Sequence, residues 1–260
     1  MAKCQGVLLD LDGVIYVGGV VLPGSLAAVN QLRAAGLPIR FVTNTTRTPH
    51  RLLLARLRGM GIAVADEELF TPAQAARALI ERERLTPRLL VHPALEEDFA
   101  GLSAGASQGG DGREAVVLGD AGDAFSYAAM NAAFRALGRG AAFLALANNR
   151  FFRDEDGGLS LDAGPFVAAL SFASRCEPVV LGKPAAAFFH AALASMGVAP
   201  EHAAMVGDDV ESDVGGAMAA GLAGILVRTG KYEPGAEHHI TPLPSAVVAD
   251  LAAAVAWILG

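Results

Sequence analysis

The chain has 260 residues, 53% hydrophobic and 6% aromatic, with a formal net charge of −7. That length predicts one large domain or two smaller ones with ample material for a core. The negative balance excludes a general nucleic-acid binder, which needs a basic face, and no apolar run reaches membrane-spanning length. In chain order, Gly6 to Leu9 is an unbroken apolar run of the kind that fills a buried strand; it meets Asp10 and Asp12, and Gly13 permits a sharp turn. Ser25 to Ala35 has apolar residues at helical spacing and stops at Gly36. Pro38 to Asn44 reads as a second buried strand, Pro49 opens a helix to about Met60, and Pro72 to Leu85 predicts another.

A different stretch follows. It reads as a strand at Arg88–His92, a loose loop over Ser103–Arg113, a strand at Ala115–Leu118 and a helix at Ser126–Leu137. Then come a strand at Ala142–Ala147, a polar loop over Asn148–Gly158 and a helix at Pro165–Arg175. This alternation predicts a second, smaller α/β unit. It is inserted, because the strand-then-acid pattern resumes afterwards. Pro178–Leu181 leads to Gly182-Lys183-Pro184 and a helix to about Met196, and Ala203–Gly207 meets Asp208-Asp209. Gly224–Val227 is a late strand, and Ser245–Leu259 a closing helix with Trp257. The expected class is α/β: a doubly wound parallel sheet over residues 1–73 and 178–260, with an inserted unit over 74–177.

In an open α/β sheet, ligands bind at the carboxyl ends of the strands. Asp10 and Asp12 repel each other there unless a cation or a proton sits between them, which points to a bound metal. The alternative is a turn that merely favours Asp. Thr43, Asn44, Lys183, Asp208, Asp209 and Asp213 fall at or near later strand ends. Phosphoryl transfer needs a nucleophile, a proton donor, a divalent cation and donors for the equatorial oxygens, and this set supplies each. A hard cation among oxygens suits Mg²⁺ better than zinc.

Asp10-Leu11-Asp12-Gly13-Val14, Thr43-Asn44, Gly182-Lys183-Pro184 and Gly207-Asp208-Asp209 with Asp213 resemble, in order and spacing, the four motifs of the haloacid dehalogenase superfamily. The inserted unit and Val42-Thr43-Asn44-Thr45-Thr46 resemble the NagD-type phosphatases, which carry a large α/β cap on a Rossmann-like core. Phe125-Ser126-Tyr127, Leu161-Asp162-Ala163-Gly164-Pro165, Gly230-Lys231 and Glu237-His238-His239 resemble the phospholysine phosphohistidine inorganic pyrophosphate phosphatase branch, whose animal members tend to have Ser where this chain has Asp12.

The resemblance implies Asp10 as nucleophile and metal ligand. It implies Asp12 as general acid and base, its carbonyl on the metal. Thr43, Asn44, Thr45 and Lys183 would bind phosphate, Asp208 would ligate Mg²⁺, and Asp209 or Asp213 would act behind the metal. On the cap, Asn148, Asn149 and Arg150 are candidate substrate contacts, against a plain solvated loop, and Asp162 and Gly164 would turn a cap segment toward the site. The implied substrate is a small phosphorylated metabolite or pyrophosphate, with a cap-mediated homodimer as an option.

Two other classes fit less well. A metal-independent dehalogenase has no use for Asp12 and Asp208, and a receiver-type phospho-switch places its acids before its Thr and Lys. His238-His239 reads as surface, Arg82-Glu83-Arg84 as a solvated helix face, and Gly230-Lys231 lacks phosphate-loop spacing. Two cysteines without metal spacing, Cys4 and Cys176, and a start without a signal-peptide core predict a reducing, cytoplasmic setting.

Overall fold

The computed structural model describes residues 4–102, 112–153 and 158–260. The strands are β1 (Gly6–Asp10), β2 (Tyr16–Val17), β3 (Val20–Val21), β4 (Ile39–Val42), β5 (Leu69–Phe70), β6 (Thr86–Leu90), β7 (Glu114–Leu118), β8 (Ala142–Ala145), β9 (Phe151–Arg153), β10 (Leu159–Leu161), β11 (Val179–Val180), β12 (Ala203–Gly207), β13 (Ala223–Val227) and β14 (Ala246–Val248). The helices are α1 (Ser25–Ala34), α2 (His50–Gly59), α3 (Pro72–Glu83), α4 (Tyr127–Leu137), α5 (Ala163–Ser174), α6 (Ala186–Ala194), α7 (Gly216–Ala219) and α8 (Leu251–Leu259). The chain divides into two compact units, one of Met1–Thr43, Leu53–Phe70 and Lys183–Gly260, the other of Asn44–Leu52 and Thr71–Gly182.

The first unit holds a six-stranded, all-parallel sheet in the order β14-β13-β12-β1-β4-β5. Every residue of β1 and β12 is buried, as expected when both faces of a parallel sheet are covered. On one side Val7, Leu9, Phe41 and Val206 join Leu32, Leu57 and Val255 in one apolar cluster. Burying each large side chain contributes about 1.5–3 kcal/mol. α1 stops before Gly36, whose φ of 74° suits a residue without Cβ.

The second unit has its own parallel sheet, ordered β11-β8-β7-β6. Val116, Leu118, Phe143 and Ala145 pack with Val167 of α5 and Ala133 and Leu137 of α4. The two helices start on side-chain caps: Ser126 accepts the Ala129 N–H, and Asp162 accepts the Ala163 N–H.

Two expectations are corrected. Asn148–Gly158 is not all loop: β9 pairs antiparallel with β10, Phe151 facing Leu161. The closing helix does not run from Ser245. Ala246–Val248 forms β14, paired with β13, and Asp250 caps a helix that begins at Leu251. Strand pairing claims the apolar Ala246-Val247-Val248 run because it lies beside β13 at the sheet edge. The loop expected over Ser103–Arg113 lies mostly outside the described residues. Among the described residues, no helix is long and apolar enough to cross a membrane.

Candidate active site

The strand order reverses at β1: β4 and β5 continue on one side, β12 to β14 on the other. Open α/β sheets bind ligands at such a switch point, at the carboxyl ends of the strands. β1 and β12 pair with Leu9 beside Val206, so Asp10 ends one strand opposite Gly207 and Asp208 follows one residue on.

Asp10, Asp208 and Asp213 are buried, and each offers a carboxylate oxygen within 4.8 Å of the others. Lys183, also buried, donates from Nζ to Asp10 and to Asp213 Oδ1, the latter at 2.6 Å. Asp213 reaches the group because Gly207 leaves room; a Cβ there would fall 2.2 Å from Asp213 Cβ. Pro184, next to Lys183, is seated against Gly216, where a Cβ would come within 2.6 Å of its ring. Both glycines of this region are thus demanded by close approach.

Two of these three carboxylates, Asp10 and Asp213, bond the Lys183 ammonium. Burial pushes all three acids up, Asp208 to about 6 and Asp213 to about 7. Burial also works against the Lys183 ammonium, but the charges of Asp10 and Asp213 outweigh it and hold this lysine above its ordinary range. When ionised, the group carries a net charge of about −2, which a divalent cation balances. Asp208 adds a direct sign of fit: its Oδ1 is buried with no hydrogen-bond partner. Such an orphaned acceptor is costly unless something occupies it. An all-oxygen set of this kind suits a hard cation such as Mg²⁺.

The two later acids, not separable by sequence, have different environments. Asp213 joins the buried cluster. Asp209 caps the turn at Val210–Gly215, accepting the Glu211 and Ser212 N–H groups at 3.1 and 2.9 Å. Burial opposes the Asp209 charge, yet the hydrogen bonds from Ser212 and Glu211 hold its carboxyl below the ordinary range.

Asp12 is exposed, two residues beyond Asp10 and bridged to Tyr16. Thr43 follows β4, half-buried, its N–H donating to the Phe70 carbonyl at 3.3 Å. Asn44 and Thr45 belong to the second unit, as do Asn148, Asn149 and Arg150. There the Gly164 N–H donates to the Asn149 carbonyl at 2.9 Å and the Asp162 N–H to the Arg150 carbonyl at 3.4 Å, tying that segment to the start of α5. His238 and His239 are exposed on a short turn.

One contributor was missed. The Lys231 main-chain N–H donates to Asp208 Oδ2 at 2.7 Å, and the Thr229 hydroxyl donates to the Gly13 carbonyl. A main-chain donor such as the Lys231 N–H leaves no residue-type signal, and Gly230-Lys231 entered only through the resemblance.

A family model described as haloacid dehalogenase-like hydrolase matches residues 7–103, and a HAD-hydrolase-like model matches 180–254. The human protein named haloacid dehalogenase-like hydrolase domain-containing protein 2 is 42% identical over 94% of this chain and 93% of its own length. The Bos taurus phospholysine phosphohistidine inorganic pyrophosphate phosphatase is 38% identical over 100% of this chain and 96% of its own. Among solved structures, the p-nitrophenyl phosphatase from Archaeoglobus fulgidus superposes with a TM-score of 0.83 at 28% identity, covering 98% of this chain and 99% of that one.

Proposed function

This chain belongs to the haloacid dehalogenase-like hydrolase family, and from that premise we propose that it is a Mg²⁺-dependent phosphatase that hydrolyses a small phosphorylated substrate through an aspartyl-phosphate on Asp10. The observation that carries the reading is the Lys183 ammonium held between Asp10 and Asp213 beside the unpartnered oxygen of Asp208.

Asp10 is the nucleophile: a carboxylate oxygen attacks phosphorus, and the leaving oxygen departs. Lys183 orients Asp10 and offsets negative charge as the phosphoryl group arrives. Asp12, exposed and able to reach water, protonates the leaving group and then takes a proton from the water that cleaves the aspartyl-phosphate. Such acid–base work contributes on the order of 10²–10⁴-fold in rate. The Thr43 hydroxyl, and Asn44 and Thr45 after it, are assigned to the phosphoryl oxygens. Asp10, Asp208 and the Asp12 carbonyl would hold Mg²⁺, with Asp213 behind them. When bound, the ion supplies positive charge against the phosphoryl oxygens. The name of the bovine relative puts pyrophosphate and phosphoamides beside phosphate esters as substrates to screen.

Release of p-nitrophenol from p-nitrophenyl phosphate, with Mg²⁺ or with EDTA, tests the proposal. Turnover that needs Mg²⁺ and vanishes in a folded Asp10→Asn variant is expected. Turnover indifferent to EDTA, or retained by Asp10→Asn, overturns it.

A further inference from the structure

The turn after β13 reaches the site without offering it a side-chain ligand. Its contacts fall on one carboxylate and one peptide. The two oxygens of Asp208 are treated differently: Oδ2 accepts the Lys231 N–H at 2.7 Å, while Oδ1 has no partner. The carboxylate is also clasped by two glycines. A Cβ on Gly13 would fall 1.9 Å from Asp208 Oδ2, and one on Gly230 would fall 2.0 Å from that oxygen and 2.4 Å from Gly13 Cα. Both have positive φ, 88° and 59°, so neither the conformation nor the space admits a side chain.

Gly13 is itself pinned at both ends. Its N–H donates to the Tyr16 carbonyl at 2.7 Å, and its carbonyl accepts the Thr229 hydroxyl. Because a peptide unit is planar, fixing the Gly13 N–H also fixes the direction of the Asp12 carbonyl.

We infer that Thr229-Gly230-Lys231 is a positioning loop that presents Asp208 Oδ1 to the divalent cation and braces Gly13, whose N–H bond to Tyr16 sets the Asp12 carbonyl; this rests on the Mg²⁺ reading above. The loop's hydrogen bonds go to Asp208 and Gly13, and it acts through them. It occupies the wrong oxygen of Asp208 with a main-chain N–H, leaving the other for the ion, and holds the first loop in register. Groups that hold metal ligands in place change metal affinity on the order of 10–100-fold when removed. Gly230 is therefore required by the packed Asp208 carboxylate and Gly13 backbone.

The test measures Mg²⁺ binding by isothermal titration calorimetry, and the rise in melting temperature on adding Mg²⁺, for wild type, Thr229→Val, Thr229→Ala, Thr229→Ser and Gly230→Ala. Circular dichroism of the metal-free proteins checks the fold. Thr229→Val and Thr229→Ala are expected to weaken Mg²⁺ on the order of tenfold, with Thr229→Ser restoring it. Gly230→Ala should weaken it further. The loss should fall more on the Mg²⁺ needed for half-maximal activity than on kcat at saturating Mg²⁺. Should Gly230→Ala fail to fold, the Thr229 series decides. A wild type that binds Mg²⁺ alongside Thr229 variants that bind it equally well overturns the loop's role alone. A wild type that binds no Mg²⁺ overturns the metal reading and this inference together.

Discussion

Lys183 and Asp213 form a buried ion pair at 2.6 Å, with side-chain exposures of 5% and 2%. Neither is solvated, so Asp213 depends on Lys183, and Lys183 on both Asp213 and Asp10. Removing the lysine leaves buried carboxylates without compensation, a change of the class that costs about 3–5 kcal/mol. Lys183→Ala is therefore expected to lower the metal-free stability by that order, read from urea unfolding. Asp213→Asn keeps the shape but drops the charge behind Lys183, and its kcat/KM should fall on the order of 10–100-fold. An Asp213→Asn enzyme with wild-type kcat/KM would show that Asp213 serves only the fold.

The raised acids couple stability to pH with a definite sign. Asp208 and Asp213 move from 3.8 to about 6 and about 7 through burial. An acid whose folded-state pKa lies above its unfolded value holds more protons when folded, so stability falls as pH rises between the two values. The metal-free protein should lose stability from about pH 4 to about pH 7 on this account, with no further loss from these groups above that range. Mg²⁺ competes for the same oxygens, so its stabilising effect should grow across the same interval. Urea midpoints with and without Mg²⁺ at about pH 5 and about pH 8 test this; a Mg²⁺ shift larger at the acid end would contradict it.

The main sheet was legible because buried parallel strands are written as unbroken apolar runs, as in Gly6 to Leu9 and Ala203–Gly207. Two-residue strands such as Tyr16–Val17 and Leu69–Phe70 are too short to show a period. The hairpin of Phe151–Arg153 with Leu159–Leu161 hides in a polar stretch because its outward apolar side chains are exposed. Ala246–Val248 was absorbed into a helix because an Ala/Val run does not distinguish the two states. At the site, residue types named the acids and Lys183. Which of Asp209 and Asp213 turns inward depends on an irregular turn over Val210–Gly215, whose phase no regular spacing predicts. The Lys231 N–H carries no side-chain identity at all.

Two glycine-to-alanine changes in helices should act with opposite signs. Gly59 ends α2 with open space around its missing Cβ and no positive φ. Alanine there reduces the freedom of the unfolded chain and should stabilise by about 0.4–1 kcal/mol. Gly164 lies in the first turn of α5, where helix propensity alone favours alanine by about 1 kcal/mol. Its Cβ, however, would fall 2.4 Å from the Asn149 carbonyl oxygen and 2.9 Å from that of Asn148. Those are backbone atoms and cannot swing aside as a flexible side chain would. Overpacking of this kind costs about 1–3 kcal/mol, which outweighs the propensity. Gly164→Ala should therefore melt below wild type and Gly59→Ala above it, each kcal/mol moving the melting temperature by about 2–4 °C. If Gly164→Ala proves as stable as wild type, the segment at Asn148–Arg150 is not held against α5 as closely as these contacts require.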